Sequence, residues 1–451
     1  MIKKILSLTF IFNALYADFI PTEPQTVTDW YLCTKNATAL NPAKPVVSYT
    51  RFISIINDFI NQQTKNINNS IWFGSKIEPY DPNFNTLYNP SAIKPFVAKL
   101  KLPHATEVFC WGDLHGDIQS LAHSLYKLYQ DGVIDNNLKI KSESVYFLFL
   151  GDLVDRGLHG AEVMALLFSV ALKNPEQVII IRGNHEDLYQ NVNMGGPNFL
   201  KDLLTISGFE YRSPECTDLL NSINHLYNLL PVACFVGCNN DYIQCCHGGL
   251  ECRYNPNNFL NAPIKRSFNA ITELTKPESF NLNNPYFWHE MDLDISCNTL
   301  FKNIPANQIK TLNLGFMWND FNAHPDQFKA LFSTQSRSGR FSIGQTLTHE
   351  TLKIYNSGKA QLRGFIRAHQ HNDTMPGLLD PRNTGIFSMW ENTVITTVST
   401  CQFGTPISFL KLTLKDNYDN WLLMNYSFNQ KEQTWKIRES PKQAWQNIVS
   451  Q

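Results

Sequence analysis

From about residue 96 the chain alternates short apolar runs with amphipathic stretches. Residues 96–102 alternate at a period of two and predict a strand, and 108–112 form a second short apolar run. Asp117 is placed to cap a helix that carries Leu121, Leu125 and Leu128 and is closed by Gly132. Residues 145–150 are apolar throughout, the signature of a strand buried on both faces. Residues 160–172 read as a helix that stops at Asn174-Pro175, and 178–181 as another buried strand. Strand, helix, strand, helix, strand is two βαβ units in succession, which makes the class α/β. Further strands are predicted at 232–236, 242–246, 363–368, 393–398 and 406–414, and a hairpin at 420–438.

The texture differs on either side of this region. Residues 18–95 are rich in Asn, Pro and Thr, with one apolar helical patch around Phe52 to Ile60, and read as an extension that packs on something larger. Residues 250–312 are polar and Asn- and Pro-rich, and read as a loop-rich insertion. The expected organisation is a main domain over 96–414, that insertion within it, and a tail over 415–451.

The first residues carry a different signal. Lys3 and Lys4 precede a short apolar stretch from Ile5 to Tyr16, and Ala17 stands where a signal peptidase cuts. Residues 1–17 are therefore expected to be a signal peptide, with the mature chain periplasmic or secreted. No segment reaches the roughly 18 apolar residues needed to span a bilayer, so no stable membrane insertion is expected.

Composition excludes some functions. With 451 residues, 43% of them hydrophobic, the chain can bury a large core. A formal charge of −1 provides no field for a polyanion, so nucleic acid is not an expected partner. Ten cysteines show no zinc-type CxxC spacing; Cys110, Cys245 and Cys246 sit in apolar strand-like runs and read as buried thiols. Pairing of the others and oligomeric state stay open.

Polar clusters fall where the strands end. Gly112-Asp113-Leu114-His115-Gly116-Asp117 follows the first buried strand, Gly151-Asp152-Leu153-Val154-Asp155-Arg156-Gly157 the second, and Gly183-Asn184-His185-Glu186 the third. His247-Gly248-Gly249 and Arg367-Ala368-His369-Gln370 follow two later strands. Ligands bind outside the carboxyl ends of strands in open α/β sheets. Asp113, His115, Asp152, Asn184, His247 and His369 are six O/N donors, too many for one closed zinc site. They suit a dinuclear centre with ions about 3.5–4 Å apart, which makes hydroxide from water at neutral pH. Asp155 and His185 remain as a carboxylate–imidazole pair for general acid work. Arg156 and Arg337 supply forked donors for phosphate oxygens.

In this order the motifs resemble the phosphoprotein phosphatase family of calcineurin-like metallophosphoesterases. The stretch from Leu230-Pro231-Val232 to Cys246-His247-Gly248-Gly249 is similar to that family's hairpin. The resemblance covers about 96–414. It implies a mixed α/β (α+β) β-sandwich flanked by helices and two metal ions, Mn, Fe or Zn. Asp113 and His115 would bind the first ion, Asp152 both, and Asn184, His247 and His369 the second. His185, oriented by Asp155, would protonate the leaving oxygen. Arg156 and Arg337, assisted by Asn184, would hold the phosphoryl group.

The chain departs from the family at several points. Asp117 replaces a Gln. Trp318-Asn319-Asp320-Phe321 has Phe for Pro, with Asp320 a weaker site candidate. Arg337 is favoured over Arg340 by register. Phe403 stands where a Tyr hydroxyl often reaches toward phosphate. His371 reads as a loop histidine at the pocket rim.

The resulting expectation is an exported, metal-dependent phosphoprotein phosphatase. It would cleave phosphoserine or phosphothreonine, with phosphotyrosine open, by direct attack of hydroxide held between the metals. Hydrolysis of nucleotides or dinucleoside polyphosphates is the alternative, and a secreted binding protein on an inactive scaffold the third reading.

Overall fold

The central strands are apolar from Val108, Val145 and Val178 onward because both of their faces are covered. β3 (Glu107–Trp111), β4 (Val145–Phe149) and β5 (Val178–Ile180) pair in parallel, with Cys110 opposite Leu148 and Leu148 opposite Ile179. Those three side chains enter one apolar layer, and Phe109, Trp111, Phe147 and Phe149 enter another on the opposite face. The computed structural model describes residues 23–35, 45–74, 95–251, 254–271, 314–321, 331–333, 340–371, 385–390 and 393–439.

Two helices cover the outer face. Helix Ile118–Gln130 starts as expected, with Asp117 Oδ1 accepting the Ser120 amide at 3.0 Å. Helix Gly160–Lys173 ends one residue before Asn174-Pro175 and is buried around most of its circumference.

β3 to β5 belong to a six-stranded sheet, ordered β17 (Thr434–Glu439), β16 (Leu422–Asn429), β15 (Ile407–Thr413), β3, β4, β5. An eight-stranded sheet is ordered β1 (Trp72–Phe73), β8 (Arg266–Ala270), β2 (Phe96–Lys101), β6 (Ala233–Cys238), β7 (Asp241–Cys246), β12 (Gln361–Arg367), β14 (Val394–Thr397), β13 (Ile386–Met389). Between the two sheets, Cys110, Leu148 and Ile179 share one core with Cys234, Val236, Ile243, Cys245, Ile366 and Ile395. Three short strands, β10 (Leu331–Ser333), β11 (Arg340–Ile343) and β9 (Asp320–Phe321), form a third sheet. The architecture is a helix-flanked β-sandwich of mixed α/β class, as expected.

One segment differs from the sequence reading. Residues 266–270, inside the stretch expected to be loop-rich, form β8, which pairs antiparallel with β2 and parallel with β1. Most of the remainder of 250–312 lies outside the described residues, as does the expected signal peptide. The extension is built into the main core. Helix Tyr49–Asn69 stacks Phe59 on Phe168 at 4.3 Å between ring centroids, and Trp30, Phe52 and Ile56 join the core under the central sheet. Helix Val27–Thr34 stacks Tyr31 on Tyr126 at 3.8 Å. The tail does form a hairpin, β16–β17, and through β15 it extends the six-stranded sheet. Short, weakly patterned strands such as β8 are specified by the sheet edges they cover more than by their own alternation.

Among the described residues, the eight cysteines are free thiols, with Cys110, Cys245 and Cys246 buried as expected. None of the described helices is long and apolar enough to cross a membrane.

Candidate metal centre

The donor loops leave the strand ends and meet where the two sheets converge. Asp113 bridges in parallel to Val398, which joins the sheets at this point. The approach demands glycine: a Cβ on Gly112 would lie 1.8 Å from the Thr397 carbonyl oxygen. His115, Asp152, Asp155, Arg156 and His369 all hold positive φ, between 45° and 70°. Each such residue costs roughly 1–3 kcal/mol and persists only where its surroundings over-determine it.

Asp152 Oδ2 is the focus. It lies 3.4 Å from His115 Nε2, 3.1 Å from His247 Nε2 and 3.9 Å from His185 Nε2. Asn184 Oδ1 lies 2.9 Å from His247 Nε2 and 2.9 Å from His369 Nδ1. Asp113 Oδ1 accepts the His369 amide at 2.9 Å. The other nitrogen of each of two rings is engaged by a backbone carbonyl: His115 Nδ1 by Val154 at 3.0 Å and His247 Nδ1 by Leu150 at 2.9 Å. Those contacts fix both Nε2 atoms toward Asp152. All six predicted donors are thus brought together.

Electrostatics agree with a site built for cations. Burial alone would raise the Asp152 carboxyl, but His247, His185 and His115 hold it well below the usual range. Burial pushes His115 well down despite Asp152. Burial also opposes protonation of His247, yet Asp152 and Asp113 raise it above its ordinary value. Asp113 Oδ2 and His115 Nε2 are buried without a hydrogen-bond partner. Such orphans are costly and a metal ion would satisfy both. Three groups have ligand atoms within 4.8 Å of one another: Asp152 with His247 and His369, His115 with Asp152 and His185, and Asp113 with His115 and His371. The residues fit a metal centre of O and N donors.

Beside the donors sits the acid pair. His185 Nδ1 lies 2.9 Å from Asp155 Oδ2, and Arg156 Nη2 lies 3.2 Å from His185 Nε2. Arg337 lies outside the described residues. Asp320 Oδ1 stands 3.5 Å from His369 Nε2.

Three residues without an assigned sequence role belong to the site. His371, half-buried in the loop after β12, faces Asp113 and His115, bonds Arg156, and stacks on Phe403 at 4.1 Å. A second imidazole two residues beyond His369 was the available signal. Glu186 accepts the amides of Asp152, Leu153 and Gly183 at 2.8, 2.8 and 2.7 Å. Asn191 donates to Asp155 Oδ2 and to the His185 carbonyl, both at 2.8 Å, and accepts Tyr227 at 3.0 Å. Neither of these two could be found without the three-dimensional arrangement. Asp117 caps its helix and also accepts Thr400 Oγ1 and the Cys401 amide, tying in the loop that carries Phe403.

A helix-flanked double sheet with clustered carboxylate, imidazole and amide donors at its strand ends defines a metal-binding phosphoesterase class of site. Residues 107–373, more than half of the chain, match the family described as calcineurin-like phosphoesterase, and the chain belongs to that family. Among similar proteins, "Serine/threonine-protein phosphatase PP2A-like PPG1" of Candida albicans is 33% identical over 140 residues, 31% of this chain and 28% of that protein. "Serine/threonine-protein phosphatase with EF-hands 1" of Rattus norvegicus is 25% identical over 282 residues, 61% of this chain and 38% of that protein. The chain therefore spans well under half the length of these relatives. A solved Saccharomyces cerevisiae protein serine/threonine phosphatase covers 84% of this chain and 90% of its own, at TM-score 0.44 and 15% identity. A cold-active protein-tyrosine phosphatase of a Shewanella species covers 75% of this chain and 81% of its own, at TM-score 0.41 and 15% identity.

Proposed function

We propose that this chain is a metal-dependent phosphoprotein phosphatase that hydrolyses phosphoserine and phosphothreonine monoesters. Asp113, His115, Asp152, Asn184, His247 and His369 would hold two ions, Mn, Fe or Zn. The single observation that carries the reading is Asp152 Oδ2, which lies 3.4 Å from His115 Nε2 and 3.1 Å from His247 Nε2. One carboxylate oxygen facing both donor sets suits a bridging ligand. When bound, the ions activate water and neutralise charge on the phosphoryl oxygens.

The chain's own groups perform the rest. Arg156 holds phosphoryl oxygens through its forked N–H groups. Its position 3.2 Å from His185 Nε2 brings that nitrogen beside the bond that breaks. Asp155 accepts from Nδ1 and stabilises imidazolium, so Nε2 carries the proton given to the departing oxygen. Arg337 adds a second phosphoryl contact. Protein substrates are supported by the names of both relatives and by the hairpin β6–β7, which continues directly into His247. Removal of residues 1–17 on export completes the reading.

The deciding experiment uses chain beginning at Asp18, stripped with chelator and reloaded separately with Mn²⁺, Fe²⁺ or Zn²⁺. Matched phosphoserine, phosphothreonine and phosphotyrosine peptides are the substrates, with dinucleoside tetraphosphate as comparison. Metal-restored release from the serine and threonine peptides is expected. Release from the nucleotide alone would overturn the protein-substrate assignment. Export is checked by mass spectrometry of the natural protein: an N-terminus at Asp18 is expected, and an intact Met1 sinks it.

A further inference from the structure

Two consecutive non-glycine residues, Asp155 and Arg156, adopt the left-handed region, with φ of 65° and 66°. Each carries a steric cost of roughly 1–2 kcal/mol. The loop leads from the end of β4 into helix Gly160–Lys173, and three contacts pin it to one neighbouring segment. The Arg156 amide donates to the Pro197 carbonyl at 3.0 Å. The Phe199 amide donates to Asp155 Oδ1 at 2.8 Å. The Gly160 amide donates to Asp202 Oδ2 at 2.8 Å.

The last two form a reciprocal pair. Asp155 caps the first amide of helix Phe199–Ser207, and Asp202, in the first turn of that helix, caps the first amide of helix Gly160–Lys173. That second helix lacks a cap from its own sequence, because His159 at the cap position makes no side-chain capping bond. Asp202 supplies it from outside. Glycine keeps the approach open: a Cβ at residue 160 would lie 3.0 Å from Asp202 Oδ2 and 3.0 Å from the Phe199 ring.

We infer that Asp202 is a positioning residue for substrate binding: its carboxylate fixes the loop from which Arg156 reaches the phosphoryl group. The inference rests on the role of Arg156 proposed above. Asp155 has anchors besides this clamp, in His185 and Asn191 through its Oδ2. The Arg156 main chain has Pro197 in the same clamp. The Arg156 guanidinium meets His185 and His371, so loosening the clamp shifts the main chain from which it reaches while the His185–Asp155 pair keeps its own anchors. Burial pushes the Asp202 carboxyl up to about 7; the Gly160 amide and His159 oppose that rise, and Glu162 and Asp155 add to it. Lys201, its neighbour on the same helix, turns away to the Gly196 carbonyl at 2.7 Å.

The test compares the wild-type full chain with Asp202→Ala, Asp202→Asn, Arg156→Ala and the Ala/Ala double variant, all loaded with Mn²⁺. The readouts are inorganic phosphate Kd by calorimetry, phosphopeptide KM and kcat, and Tm. Asp202→Ala is expected to raise both phosphate Kd and KM by about tenfold, with kcat within about threefold. Asp202→Asn, which keeps an acceptor, restores both. Adding Asp202→Ala to Arg156→Ala changes phosphate Kd no further. A lowered Tm with unchanged Kd and KM, or losses that multiply in the double variant, overturns the inference. Where Asp202→Ala does not fold, Asp202→Glu carries the same expectation, since it moves the acceptor by one methylene. Wild-type chain that binds phosphate without hydrolysing peptides removes the proposed activity and leaves the variants' Kd values to decide on Asp202. Chain that binds no phosphate overturns both.

Discussion

Glu186 accepts the backbone amide of Asp152 at 2.8 Å, so the main chain that carries the central carboxylate of the site is held by a second, buried carboxylate. The same Glu186 oxygen takes the Gly183 amide at 2.7 Å, and its partner takes Leu153 at 2.8 Å. One side chain thereby joins the loops after β4 and β5, which carry Asp152, Asp155, Asn184 and His185. Replacing it with Gln turns an acceptor into a donor aimed at amides. Glu186→Gln is expected to destabilise the chain by about 1–3 kcal/mol, the cost of an unsatisfied buried group. Urea unfolding with and without metal measures this, and an unchanged midpoint would contradict the role.

Asp152 and His185 separate binding from chemistry. Asp152→Asn is expected to lose bound metal and turnover together. His185→Ala is expected to keep its metal and lose about 10²- to 10⁴-fold in kcat. Elemental analysis alongside kcat distinguishes the two. Wild-type turnover in either variant would refute the assignment.

His371 enters the donor set through Asp113 and His115, not through His247. His371→Ala is expected to weaken one ion more than the other, so metal titration should change from one class of site to two. Phe403 stacks on the same ring and lies 5.6 Å from His115. Phe403→Tyr should alter kcat/KM by about tenfold or less, because it adds one donor to a site dominated by metals and arginine. A loss as large as that of His185→Ala would contradict this.

Asp202 gives a pH signature without touching a metal ligand. Its folded pKa of about 7 lies above the ordinary aspartate value of 3.8, so the folded state binds the extra proton. Its contribution is complete below pH 4 and is lost as pH rises through about 7. Relative to wild type, Asp202→Asn should gain Tm between pH 5 and pH 8. A difference that is flat or falls over that range would contradict the shift.

Phe59 tests whether the N-terminal helices belong to the main domain. It is 1% exposed and stacked on Phe168. Phe59→Ala should cost about 3–5 kcal/mol in global stability. A loss confined to residues 23–74 in hydrogen exchange would mean the extension folds separately.

Much of this was legible from local pattern. β3, β4 and β5 are short apolar runs, and Asp117 caps the helix that its spacing announced, because burial on both faces and capping are written into neighbouring residues. The six donors were legible for a similar reason: all follow a strand end, and five of them, all but His369, sit beside glycine. β8 was not, because Arg266–Ala270 has only an intermediate pattern and becomes a strand through pairing with β2. The loop donating Asp113 is legible in the sequence, but its bridge to Val398 spans most of the chain. The parts that only tertiary structure decided are the contacts between distant loops: Glu186 across two strand ends, Asp202 capping Gly160, His371 turning in toward Asp113, and helix Tyr49–Asn69 closing the core. Sequence determines what each strand end can offer as a ligand. Which of those offers meet depends on sheet order and long-range packing, whose contacts leave no local period in the chain.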